Sequence, residues 1–443
     1  MAALDRPSNW CACLLLVATA AGCLSPVAKA AEYSAGFDID SSAQYNDNIS
    51  LVQDNKTVVS GILVKPTVKF DAQTETTHYS LNSDFQFRHY DNSDFNTNDQ
   101  HLNFSLQQQL EKSAVGLLFG VTRDSTLTSE LTDSGRLGRT AERHEQYVIA
   151  PNWTYNLGEN DALKFQTAYS IDNYESTAYT GYGYWSTNLD WIHNLTERLQ
   201  LVTRIQHSDY ESDYRDLPTF HMANPFFQLD ATQSYASRTR ESGLQLGVYY
   251  IFSEQNSLNI LVGQSKNTTE YLVKDPTAAC AQQNNPYYFQ ALLNGALLCN
   301  SQDQKANLST AQISWTWNGE TQQFSLNGTR DNRPSSDGRA LRSLQLTSNW
   351  SYTLSEKNRI STGLVYVQNK ALNEDSRSAI ANVSDRNYGS ASLAFSHQLS
   401  ETWTINTTYS YAFQKYTNSD YHAASNTVSL GIQYSPTQWY WSR

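Results

Sequence analysis

Apolar and polar residues alternate with a period of two from the first segment onward. Tyr33, Ala35, Phe37 and Ile39 share one face and Ser34, Gly36, Asp38 and Asp40 the other. Ile62, Val64, Val68 and Phe70 follow, with Lys65, Thr67, Lys69 and Asp71 opposite. Tyr79, Leu81, Phe85 and Phe87 then oppose His78, Asn82, Asp84, Gln86 and Arg88. The pattern recurs down the chain and predicts eighteen strands, centred near residues 38, 65, 84, 105, 119, 152, 168, 190, 204, 247, 262, 313, 327, 349, 364, 393, 409 and 431. Short turns, such as Glu111-Lys112, Gly158-Glu159-Asn160, Ser355-Glu356-Lys357 and Ser400-Glu401-Thr402, alternate with long polar loops near 126–145, 211–240, 268–306 and 370–386.

Strands joined by short turns at one end and long loops at the other predict an all-β fold: a transmembrane antiparallel up-and-down barrel of about eighteen strands. The short turns would lie in the periplasm and the long loops outside, and an even strand number would leave both termini in the periplasm. Tryptophan placement agrees. Trp153, Trp191, Trp315, Trp317 and Trp350 fall on the apolar face shortly before a turn, and Trp403 just after one. Amphipathic rings favour the membrane–water boundary, so these six predict a periplasmic girdle. Tyr174, Tyr210, Tyr366 and Tyr416 sit near the other strand ends.

In a barrel whose apolar face meets lipid, the polar face lines the lumen. Its charges gather in the early strands, as Lys65, Lys69, Asp71, Asp84, Arg88, Lys164, Asp172, Asp190 and Arg204. The late strands offer neutral amides and hydroxyls, among them Gln312, Asn349 and Asn406. Ion-selective pores are usually ringed by charges of one sign. A neutral wall of hydrogen-bonding groups suits a hydrated polyhydroxylated chain, and any water-filled barrel also needs a polar wall.

Composition narrows the picture. Apolar residues make up 39% and charged residues 17% of 443, while Tyr numbers 28 and Trp 10. Soluble domains carry about 45–50% apolar and about 25% charged residues. The net charge of −12 disfavours nucleic acid as a partner. Residues 1–30 read as a secretory signal peptide: Arg6 precedes the apolar run Cys11–Gly22, and Ala28-Lys29-Ala30 offers a cleavage site. The rival is a lipoprotein box, Ala20-Ala21-Gly22-Cys23, lipidated at Cys23. Residues 31–443 would then form the barrel. Of five cysteines only Cys280 and Cys299 follow the leader, and in an exported protein such a pair predicts one disulfide. Their loop, with a short helix expected after Pro286, would either fold into the bore or form a stapled surface lobe.

Catalytic chemistry is not indicated. The histidines are scattered without metal-ligand spacing, and no nucleophile–base pair stands out. No cofactor is expected. Asp91, Asp94 and Asp99 admit a calcium site, although a solvated loop is the simpler reading.

The strand ending Tyr45-Asn46-Asp47-Asn48-Ile49 resembles the Tyr-Asp-x-Asn-Ile motif that opens the EpsL-like exopolysaccharide-associated outer-membrane β-barrel family. Phe85-Gln86-Phe87-Arg88-His89-Tyr90 is similar to that family's third strand, and the Leu-Ser-Glu turns before Lys357 and Thr402 also fit. The resemblance implies a path for a polysaccharide chain across the outer membrane, amid lipid and lipopolysaccharide, above a periplasmic polysaccharide-export protein. One departure is the seven residues after Pro436, which leave the usual terminal aromatic residue internal. The alternatives are a diffusion porin for small solutes or sugars and a structural sleeve for another protein.

Overall fold

The computed structural model describes residues 31–130, 141–216, 234–273, 304–336, 338, 340–371, 385–417 and 420–442. The proposed leader, the cleavage site near Ala30, Cys23, Cys280 and Cys299 lie outside the described residues.

Eighteen antiparallel strands close into one barrel. They are β1 (Glu32–Asn46), β2 (Val59–Gln73), β3 (Thr77–Tyr90), β4 (Thr97–Gln109), β5 (Ser113–Ser125) and β6 (Arg143–Asn156). Next come β7 (Asp161–Tyr174), β8 (Tyr182–Asn194), β9 (Leu199–Ser212), β10 (Ser234–Ser253), β11 (Asn256–Val273) and β12 (Gln304–Asn318). The last six are β13 (Gln322–Arg333), β14 (Leu341–Ser355), β15 (Asn358–Ala371), β16 (Arg386–Gln398), β17 (Trp403–Tyr416) and β18 (His422–Tyr434). Each pairs with its sequence neighbours, and β1 closes the ring on β18 through Ile39↔Tyr434 to Asn46↔Thr427. Closure leaves no edge strand among the eighteen, which is what a strand protein needs in lipid. All eighteen predicted centres fall within these strands.

The register fixes the two faces. Val64 pairs with Phe87 and Phe37 with Val68 on the outside, while Asp38 pairs with Thr67 and Thr67 with Asp84 on the inside. Large apolar side chains therefore stand exposed around the exterior, including Ile205 at 57%, Leu246 at 57%, Val262 at 56% and Leu430 at 59%. Such exposure is untenable in water and normal against acyl chains. No described helix is long and apolar enough to cross a membrane.

One expectation about the strand ends needs correction. The long loops are shorter than the hydrophobic pattern suggested, because β10 begins at Ser234 and β11 runs to Val273. Their outer ends continue the ladder above the apolar belt with paired charges. Arg238 bonds Asp209, and Arg240 Nη1 donates to Glu270 Oε1 at 3.2 Å. A four-residue strand, Trp439–Ser442, resumes pairing on β1 from Ala35↔Trp439 to Glu32↔Ser442.

Candidate functional site: the channel lumen

The six expected tryptophans lie on the outer face near the short turns, and five of them are exposed; Trp350 is partly covered by stacking on Tyr352 at 6.1 Å. The terminal strand adds Trp439 and Trp441. Trp441 stacks on Tyr33 at 5.5 Å, Trp439 lies 6.1 Å from Phe37, and Trp403 lies 4.7 Å from Tyr434. The alternation Gln438-Trp439-Tyr440-Trp441 carried that signal in the sequence. Of the four tyrosines near the other strand ends, Tyr366 faces outward, paired with Leu346. Tyr174, Tyr210 and Tyr416 point inward, opposite lumen residues His144, Tyr184 and Arg386.

The register places all nine candidate lining residues on the lumen face. Lys65 lies 3.6 Å from Asp84, which also takes a 2.9 Å contact from His101 Nδ1. Lys69 bonds Asp38 at 2.7 Å, and Arg88 pairs with buried Asp99. Arg204 makes a bidentate pair with Asp190, at 2.7 and 2.8 Å, and reaches Gln312 Oε1 at 2.8 Å. Asp190, Arg204 and Gln312 thus meet although they come from β8, β9 and β12. Asn349 lies apart, lining a second lumen hollow with Ser325, Ser361 and Ser392. Asn406 faces the lumen opposite Ser396.

The lumen charges are therefore largely neutralised in pairs rather than arranged in rings of one sign. Lys69–Asp38, Arg88–Asp99 and Arg204–Asp190 are mutual, and His144 sits between Asp124 at 2.9 Å and Asp172 at 3.0 Å. The inward faces of β14 to β17 present Gln345, Thr347, Asn349, Ser351, Ser392, Ser396, Thr404 and Asn406, with Arg359 on Gln323 and Ser351 and Arg386 on Gln414 as their cations. A wall of this kind hydrogen-bonds a solute without imposing a strong field.

Inward-folded connections narrow the outer half, and the sequence pattern did not show them. The β1–β2 connection bends inward until Leu51 packs on Val367, Tyr388 and Ala423, from the inner faces of β15, β16 and β18 beside the closure on β1. Leu51 is held at φ 46, and its carbonyl accepts from Gln414 Nε2 at 2.6 Å. Non-glycine residues rarely adopt this left-handed conformation, so the buried contacts must hold it there. Ile49 and Leu127 join a second cluster with Val59, Tyr90 and Phe95. The β13–β14 connection crosses towards β7–β10. Tyr210 Oη donates to the Ser335 carbonyl at 3.0 Å, and the Thr180 amide to the Ser336 carbonyl at 2.7 Å. Ser336 Oγ donates to buried Glu130 at 2.6 Å, whose other oxygen accepts from Tyr174 at 2.7 Å. Gly338, at φ 80, makes the turn that lets its carbonyl meet Ser237. The Cys280–Cys299 loop, expected either in the bore or as a stapled surface lobe, lies outside the described residues.

Asp91 accepts from the Ser60 and Asn92 amides, and Asp99 is committed to Arg88. The described residues contain no group of three or more carboxylate, histidine or cysteine ligands placed to hold a metal ion.

A closed eighteen-strand barrel with an apolar exterior, an aromatic girdle at one rim and a polar lumen defines an antiparallel transmembrane β-barrel. No protein-family profile matches the chain, and no curated protein matches it in sequence. Among solved structures it is similar to the ferric-catecholate import receptor Fiu of E. coli K12, at 9% identity and a TM-score of 0.41, over 90% of this chain and 81% of that one. It is also similar to the outer membrane protein OpdK of Pseudomonas aeruginosa, at 11% identity and a TM-score of 0.39, covering 91% and 99%. OpdQ of the same organism gives 7% identity and 0.39, covering 91% and 98%.

Proposed function

We propose that the protein is an outer-membrane channel for saccharides, exporting an exopolysaccharide chain. The observation that carries this is the lumen wall: its charges are largely paired off, and β14 to β17 face it mainly with neutral amides and hydroxyls, Arg359 and Arg386 being the charges among them. A sliding sugar polymer needs many weak, exchangeable hydrogen bonds and no deep electrostatic trap. A periplasmic polysaccharide-export protein would deliver the chain, as the resemblance to the EpsL-like family implies. The leader at residues 1–30 and the location in the outer membrane belong to the same proposal.

A second reading, a diffusion porin for small solutes, draws on the inward connections, because narrowing favours small cargo over a polymer. An in-frame deletion separates the two. Loss of secreted polymer with unchanged uptake of small sugars supports export. Normal polymer with slowed sugar uptake overturns export and leaves the porin. If neither changes, the barrel is a sleeve for another protein.

A further inference from the structure

The β12–β13 ladder ends early. Its outermost pair is Ala311↔Arg330, and Asp331, Asn332 and Arg333 pair only with β14. Above that point β13 leans into the barrel. Asn332 reaches the inner face of β10, where its Nδ2 donates to Glu241 Oε2 at 3.0 Å. Between the leaning hairpin and the wall lies a cavity of about 200 Å³, lined by Tyr184, Arg204, Gln206, Gln245, Thr329 and Asn332 among others.

Glu241, 4% exposed, sets the polarity of this cavity. Its second oxygen accepts from Gln206 Nε2 at 3.1 Å. Both amides thus turn their nitrogens to Glu241 and their carbonyl oxygens away from it. Asn332 Oδ1 is buried without a partner, and so is Gln245 Oε1, four residues beyond Glu241 on β10, with these residues 8% and 6% exposed. A buried acceptor left unpaired is costly, so such atoms point to a donor that the site takes up. Arg204 is already committed to Asp190 and Gln312, so it supplies a fixed rim rather than a free charge for an anion.

We infer that this cavity is a subsite for one neutral sugar ring, whose entry turns the Gln245 and Asn332 amides so that its hydroxyls donate to the two carbonyl oxygens, which are covered in this structure. The volume holds about six waters, which is also the scale of one pyranose ring. Hydroxyls suit the lining because each both donates and accepts, matching the orphaned carbonyls on one side and the Thr329 and Tyr184 hydroxyls on the other. The inference rests on the saccharide-channel reading and adds a holding point within it.

The test uses the full-length barrel purified in detergent, titrated calorimetrically with maltotriose, isomaltotriose, cellotriose and mannotriose, and with sodium acetate as an anionic control. At least one neutral trisaccharide is expected to bind saturably, acetate is not, and Gln245→Leu is expected to weaken binding at least tenfold. Circular dichroism confirms that the variant keeps its barrel, and Thr329→Val serves as a second, milder lining change with a smaller loss. No saturable binding of any trisaccharide, or equal binding by Gln245→Leu, overturns the subsite. Planar-bilayer conductance separates the two levels. A wild type that conducts and binds none of these sugars loses the subsite and keeps the channel, while one that binds them and does not conduct keeps the subsite and loses the channel.

Discussion

Freeing the β13–β14 connection should widen the channel. Ser336 Oγ bonds the Glu130 carboxylate at 2.6 Å, and Tyr210 Oη bonds the Ser335 carbonyl at 3.0 Å, both between buried groups. A hydrogen bond to a charged group contributes about 2 kcal/mol and a neutral one about 1 kcal/mol. The Ser336→Ala, Tyr210→Phe double variant therefore weakens anchoring by about 3 kcal/mol, a shift of roughly two orders of magnitude in the anchored-to-free ratio. Neither change touches the exterior or a ladder hydrogen bond, so barrel assembly should be unaffected. Single-channel recording in planar bilayers reads the result. The wild type should show a low, steady conductance, and the double variant a higher mean conductance with frequent large steps. Each single variant should fall between them. Unchanged conductance, with the barrel intact by circular dichroism, would refute the claim that this connection narrows the bore.

Other elements give independent tests. Leu51→Ala removes a buried anchor, 3% exposed, and should cost the β1–β2 connection about 2–3 kcal/mol; hydrogen exchange at residues 48–53 should accelerate while the strands stay protected. Arg204→Gln leaves Asp190 without its bidentate partner, so reversal potentials in a salt gradient should move towards cation preference. Trp441→Ala removes the stack on Tyr33 and should lower the thermal unfolding midpoint measurably, through loss of about 1–2 kcal/mol. The same change on Tyr440, which is 73% exposed, should have little effect.

The barrel was legible because its energetics are written in a period of two: one-residue slips would expose Asp38 or Lys65 to lipid and bury Val64 or Phe87 in the lumen. Tryptophan position added a girdle beside the short turns. Lumen residues followed for the same reason, although which of them meet did not. Arg204 finds Gln312 only because the wall curves, and no local spacing encodes that contact. The inward connections escaped notice because Leu51, Ser336 and Glu130 sit in polar, aperiodic segments, held by single long-range bonds. Glu241 and Asn332 were hidden likewise, since β13 parts from β12 at a point where the alternation continues without a break. Three of the four upper tyrosines turned inward because rings at that level pair with lumen groups, as Tyr174 does with Glu130.

The central claim, a lumen suited to neutral saccharides, is tested most directly by conductance of the purified barrel in planar bilayers while neutral oligosaccharides of increasing length are added on one side. The account predicts weak ion selectivity and reversible, concentration-dependent blockades whose duration grows with chain length. Strong selectivity for one ion sign, or conductance indifferent to oligosaccharides of every length, would contradict it.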